Sequence, residues 1–184
     1  MKLILASQSP RRRQLLSLLN IPFDIAPADI EETINEDKPL REEIEKLSFL
    51  KANAVFKDNK DAVVIGSDTI VTLDNKVLGK PEDKEDAKRM LRLLQNNKHV
   101  VITAVTIISS KMSETFSVVS DVYFYPLSEE EIDKYLENDE GYDKAGAYAI
   151  QGLGSKFIKK IDGDFYAIMG FPIGEVYHRL KKYL

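Results

Sequence analysis

The 184-residue sequence predicts an α/β fold, a single domain of two lobes sharing one sheet. Three observations predict it. A strand at 2–6, apolar from Leu3 to Ala6, leads through a short turn into a helix. Runs rich in β-branched residues then alternate with apolar stripes of helical spacing. No Gly-, Ser- or Pro-rich stretch marks a linker, so residues 1–184 form one unit without a separable boundary.

In chain order, the strand at 2–6 is followed by a helix that Ser9 caps and Pro10 opens, with Leu15, Leu16, Leu18 and Leu19 as its apolar face. Residues 38–57 form a second helix striped by Leu40, Ile44, Leu47, Ala54 and Val55. Lys51 interrupts that stripe, four residues after Leu47 and four before Val55. A continuous apolar strand at 62–66 ends at Gly66, and Ser67-Asp68-Thr69 follows it. Runs 70–73 and 76–78 then pair as a hairpin about Asp74-Asn75. A helix at 82–94 carries Ala87, Met90, Leu91 and Leu94, and a polar turn at 95–98 ends it. Two long strands, 100–108 and 115–125, flank a hairpin loop at 109–114. Ser128 and Glu131 form a capping box for a helix packing Ile132, Tyr135 and Leu136. The tail reads as strands 157–161 and 166–169 about Asp162-Gly163-Asp164, then a helix from Gly174 with Val176, Tyr177 and Leu180 inward.

Composition excludes several classes. A net charge of −4 and acidic stretches such as 31–36 argue against a nucleic-acid surface, which would be broadly basic. The absence of cysteine removes disulfides and thiolate metal sites. The apolar run at 3–6 is too short for a signal peptide, and nothing approaches a membrane span, so a cytoplasmic protein is expected. His99 and His178 give a histidine-based triad thin support. Gly152-Leu153-Gly154-Ser155-Lys156 lacks the spacing of a phosphate loop and reads as a glycine turn feeding a strand. Gln151 just before it presents an amide that can match a pyrimidine imide edge with one donor and one acceptor.

Local charge is more informative. Arg11, Arg12 and Arg13 sit in the first turn of a helix, where the free N–H groups already carry partial positive charge. Such an end invites phosphate, although a basic triplet is also what a solvated surface carries. Asp68 follows a strand and a glycine, a place where open α/β folds expose chemistry, and the same Ser-Asp-Thr triplet also suits a simple turn cap. Gly79-Lys80-Pro81 presents a cation soon after. A carboxylate with nearby lysine and arginine suits phosphate chemistry, with Mg²⁺ or Mn²⁺ as the matching hard cation. Glu31 and Glu32 offer further carboxylates.

These residues carry a family resemblance. Leu5 through Arg13, Gly66-Ser67-Asp68-Thr69-Ile70-Val71, Gly79-Lys80-Pro81, the run from His99 to Val105 and the run from Asp143 to Gly152 look like successive signatures of the Maf family. The closing Ile161 to Asp164 and Gly170-Phe171-Pro172 segments fit as well. The resemblance implies a nucleoside triphosphate pyrophosphatase, similar in architecture to inosine triphosphate pyrophosphatases, with two α/β lobes around a central mixed sheet and an intervening cleft. It implies Asp68 as proton acceptor, with Ser7, Arg12, Glu32, Lys51 and Lys80 lining the substrate site. Arg11, Thr69 and Gln151 match the branch acting on dTTP, UTP and modified pyrimidine nucleotides. A divalent cation held by Asp68 and Glu32 is expected, with a homodimer as the state related folds often adopt. The family is also linked to inhibition of septum formation, which leaves a non-catalytic regulatory protein binding a division partner as the alternative.

Overall fold

The computed structural model describes residues 2–184. Its strands form one seven-stranded mixed sheet in the order β2-β1-β3-β5-β6-β7, with β4 paired to β3. By contact, the chain divides into two compact units, to both of which β3 (Ala62–Leu73), β5 (Lys98–Ile108) and β6 (Ser113–Phe124) contribute.

The first unit comprises Met1–Thr69, Thr103–Val118 and Tyr166–Leu184. β1 (Lys2–Leu5) lies parallel to both β3 and the short β2 (Asp24–Ile25). Side chains alternate along these strands, so each face gains its own cover. Leu3, Leu5, Val63 and Ile65 pack with Leu15 and Leu16 of α1 (Pro10–Ser17) and with Val176 and Leu180 of α6 (Ile173–Leu180). Ile4, Ala6, Ala62 and Val64 pack with Ala52, Val55 and Phe56 of α2 (Leu40–Lys57).

The second unit comprises Ile70–Ile102 and Val119–Phe165. β4 (Lys76–Leu78) folds back antiparallel on β3, and β7 (Ile158–Asp162) runs antiparallel to β6. α3 (Lys84–Leu94) packs against α4 (Glu129–Leu136) and a 3₁₀ turn at Ala145–Ala147. The α4 capping box is present in full, with Ser128 and Glu131 satisfying each other's backbone N–H groups.

Several sequence-based expectations are corrected. Residues 62–73 form one unbroken strand, so Asp68 lies within β3 and not in a turn. Gly66 serves a different purpose from ending a strand. A Cβ there would meet Ser48 O at 2.5 Å and Ala52 N at 2.6 Å, so its lack of a side chain lets α2 approach. Residues 166–169 do not form a strand. Phe165–Ile168 is a helical turn, α5, since so short an apolar run has no period to settle its type. Leu18 lies past the end of α1 and is exposed, while Ala52, rather than the half-buried Ala54, faces the core from α2. Tyr177 points outward on α6. β2 and the 3₁₀ turns between residues 139 and 157 are additional elements.

Candidate functional site

The close approach of α2 to β3 places a lysine over a carboxylate. Gly66 and Asp68 are two residues apart in a strand and share a face, and Lys51 adjoins Ala52, which packs on Gly66. Lys51 Nζ lies 3.1 Å from Asp68 Oδ2 and 2.9 Å from Glu32 Oε1. The expected interruption of the α2 stripe is therefore a buried ammonium held between two carboxylates, only 9 % exposed at its side chain. Asp68 Oδ1 accepts the Thr69 N–H at 2.8 Å and faces Arg12 Nη2 at 3.6 Å. Both oxygens of Asp68 are thus anchored.

Arg12 is held along its whole guanidinium edge. Nε donates to Gly170 O at 3.0 Å, Nη1 to Ser7 Oγ at 3.3 Å and Nη2 to Thr69 Oγ1 at 3.3 Å. Burial pulls its pKa below the usual arginine value, and the charge of Asp68 opposes that shift. Asp68 thus offsets part of the charge that this first-turn cation brings to the helix N-terminus. The neighbouring Arg13 is exposed and Arg11 half-buried.

Hydroxyl directions follow from the partners. Thr103 Oγ1 donates to Ala167 O at 2.7 Å, and a carbonyl can only accept. Thr103 must therefore accept from Thr69 Oγ1, 2.9 Å away, which commits the Thr69 proton inward. Thr69 then faces Arg12 as an acceptor. Ser7 Oγ accepts from the Ser9 N–H and from Arg12, leaving its own proton as a donor for an incoming oxygen.

Ser7, Arg12, Glu32, Lys51, Asp68 and Thr69 thus converge in the first unit, with Arg11 adjoining Arg12 on α1. Lys80 and Gln151 belong to the second unit, and both are exposed there. The glycine loop carrying Lys80 is tied down by the Gly146 N–H donating to Gly79 O at 3.1 Å. Sequence reasoning missed Thr103 and the Gly170 carbonyl as members of this network. Both lie in segments singled out as family signatures, but a buried hydroxyl direction and a backbone oxygen have no pattern of their own.

The donor set fits a hard divalent cation. Glu32 and Asp68 supply two carboxylates converging on one positive group, and Mg²⁺ typically takes one or two carboxylates and completes its shell with phosphate and water oxygens. Among the described residues no group of three or more His, Cys, Asp or Glu side chains forms a cage.

The family model described as Maf-like protein matches residues 2–183. Similar proteins include a dTTP/UTP pyrophosphatase of Bacillus velezensis, 50 % identical over 99 % of this chain and 96 % of that protein. Another dTTP/UTP pyrophosphatase, from Bacillus cereus, is 46 % identical over 99 % and 95 % of the two chains. Among solved structures, the nucleoside-triphosphatase (dITP/XTP pyrophosphatase) of Mycobacterium abscessus aligns over 69 % of this chain and 76 % of its own, with 13 % identity and a TM-score of 0.42.

Proposed function

Because the chain belongs to the Maf-like protein family, we propose that it is a nucleoside triphosphate pyrophosphatase hydrolysing dTTP and UTP, and modified pyrimidine nucleotides, to the monophosphate and pyrophosphate. The observation that carries the reading is the alternation of charge through Arg12, Asp68, Lys51 and Glu32 within hydrogen-bonding or ion-pair reach. Water adds across the α–β anhydride, and Asp68 accepts its proton as pyrophosphate leaves. Arg12, Lys51 and Lys80 counter the phosphate charge, and the Ser7 hydroxyl donates to a phosphate oxygen. Arg11, Thr69 and Gln151 recognise the pyrimidine nucleotide, Thr69 as an acceptor because its proton goes to Thr103.

Asp68 and Glu32 would hold the divalent cation, Mg²⁺ or Mn²⁺. When bound, it supplies neutralisation of the phosphate oxygens. The anchoring of Asp68 by Lys51 and the Thr69 N–H supports its role, since a base must keep its orientation toward the water.

The test is a panel of nucleoside triphosphates with Mg²⁺ and with Mn²⁺, assayed separately for pyrophosphate and phosphate. Pyrophosphate from dTTP and UTP is expected, with Asp68→Asn lowering its release by about 10²- to 10⁴-fold. Phosphate as the first product would overturn the cleavage position, and retention of most activity in Asp68→Asn would overturn the base.

A further inference from the structure

The glycine turn at residues 152–154 offers backbone N–H groups of the kind that cradle phosphate, yet an internal carboxylate already occupies them. Glu140 Oε1 accepts the Leu153 N–H at 2.7 Å, and Oε2 accepts the Gly154 N–H at 3.0 Å. Tyr135, buried in α4, donates its hydroxyl to the same Oε2 at 3.0 Å and accepts the Ala149 N–H at 3.3 Å. The backbone of Glu140 is itself tied, its carbonyl accepting from Lys144 Nζ at 2.5 Å.

Gln151 lies between these fastenings. Ala149 is fixed on one side by Tyr135, and Leu153 and Gly154 are fixed on the other by Glu140. The glycines report how tight the clamp is. A Cβ at Gly152 would overlap the Glu140 carboxylate, and one at Gly154 would meet Ala149 O at 2.7 Å. Only glycine at 152 lets a carboxylate enter the turn.

We infer that Glu140 is a positioning residue that, with Tyr135, fixes the turn presenting Gln151 and so sets the enzyme's preference for the imide edge of thymine and uracil over the edge of cytosine. This rests on the reading of Gln151 as the residue that recognises the base. A carboxylate is the group the turn requires. It supplies acceptors on both oxygens, whereas an amide would turn an NH₂ toward one of the donors. The exposed Gln151 amide reads a base only if its backbone is held, because a reader free to wander discriminates little between donor and acceptor edges.

The experiment measures kcat and KM for dTTP and dCTP, by pyrophosphate release, in the full chain and in Glu140→Gln, Gly152→Ala, the double variant, Tyr135→Phe and Gln151→Ala. The expected result is a fall of about tenfold in the dTTP:dCTP ratio of kcat/KM in Glu140→Gln and in Gly152→Ala. The fall should come from KM for dTTP, with its kcat retained. The double variant should lose no more than either single one, since both break the same clamp. Tyr135→Phe removes one bond and keeps the carboxylate, so its ratio should fall less and it serves if Glu140→Gln does not fold. An unchanged ratio in Glu140→Gln or, where that variant does not fold, in Tyr135→Phe, beside a lowered one in Gln151→Ala, would overturn the clamp. An unchanged ratio in Gln151→Ala would overturn the reading of Gln151 instead.

Discussion

Acidification should destabilise this protein through one histidine. His99 is 1 % exposed in β5, edge-on to Phe124 and Tyr148, with Nε2 2.7 Å from the Tyr148 hydroxyl. Its Nδ1 has no hydrogen-bond partner among the described residues. Burial holds the imidazole pKa down at about 4 from 6.5, with the charge of Asp121 opposing the shift. The folded protein therefore resists a proton that the unfolded chain accepts near pH 6.5. The stability tied to neutral His99 is complete above that pH and is lost as pH falls toward 4. Fully expressed, the displacement corresponds to about 3 kcal/mol, of which about 2 kcal/mol is lost between pH 7 and pH 5. The assay is urea unfolding at those two pH values, comparing the natural chain with His99→Phe/Tyr148→Phe. Replacing both partners leaves no orphaned hydroxyl, and carboxylates titrating elsewhere affect both proteins alike. The natural chain should lose about 2 kcal/mol more than the double variant. Parallel pH dependences would refute the reasoning, because His99 would then be titrating as an exposed imidazole does.

Arg12→Lys should lower kcat/KM for dTTP by about 10²-fold, because a point charge cannot serve Gly170 O, Ser7, Thr69 and Asp68 together; pyrophosphate release measures it. Lys51→Met should reduce turnover by about 10²- to 10³-fold in the same assay, with Asp68 and Glu32 no longer bridged. Gly66→Ala should cost about 1–3 kcal/mol of stability, read as a lower melting temperature by circular dichroism, since its Cβ drives α2 off the sheet.

How much was legible depended on whether a residue acts through its type or through its neighbours. The capping box at Ser128 and Glu131 and the helix start at Ser9-Pro10 use local chemistry, and both stand where the sequence puts them. Asp68, Lys51 and the arginine triplet stand out as charged groups in unusual settings, whereas Glu32, and Arg12 within the triplet, are singled out only by the family resemblance. Their mutual contacts are not legible, because they join α1, α2, β3 and the segment before α2 across long stretches of chain. Gly66 shows the limit best. A glycine followed by Ser-Asp-Thr has the look of a turn, and only the backbone of α2 at 2.5 Å reveals a packing requirement inside a continuous strand. Residues 166–169 failed for the opposite reason, since four residues contain too little period to separate strand from helix. Glu140 carried no signal, because an acidic residue in a polar turn is ordinary until its hydrogen bonds are known.

The charge balance of the first-unit cluster bears on the divalent cation proposed for it. Arg12 and Lys51 both pair with Asp68, and Asp68 and Glu32 offset those two charges one for one. Lys51 in particular is shared between both carboxylates, so only part of its charge is left to counter phosphate. A triphosphate brings several negative charges to such a place, more than two carboxylate-paired cations match by themselves. In the proposed mechanism extra positive charge comes with the nucleotide. The same carboxylates that cancel the protein's cations are hard oxygen donors, suited to receive that charge as Mg²⁺ or Mn²⁺. The balance built by Gly66, which lets Lys51 reach Asp68, trades simple electrostatic attraction for a fixed carboxylate, and loss of dTTP hydrolysis on chelation of divalent cations is the outcome the proposed mechanism expects.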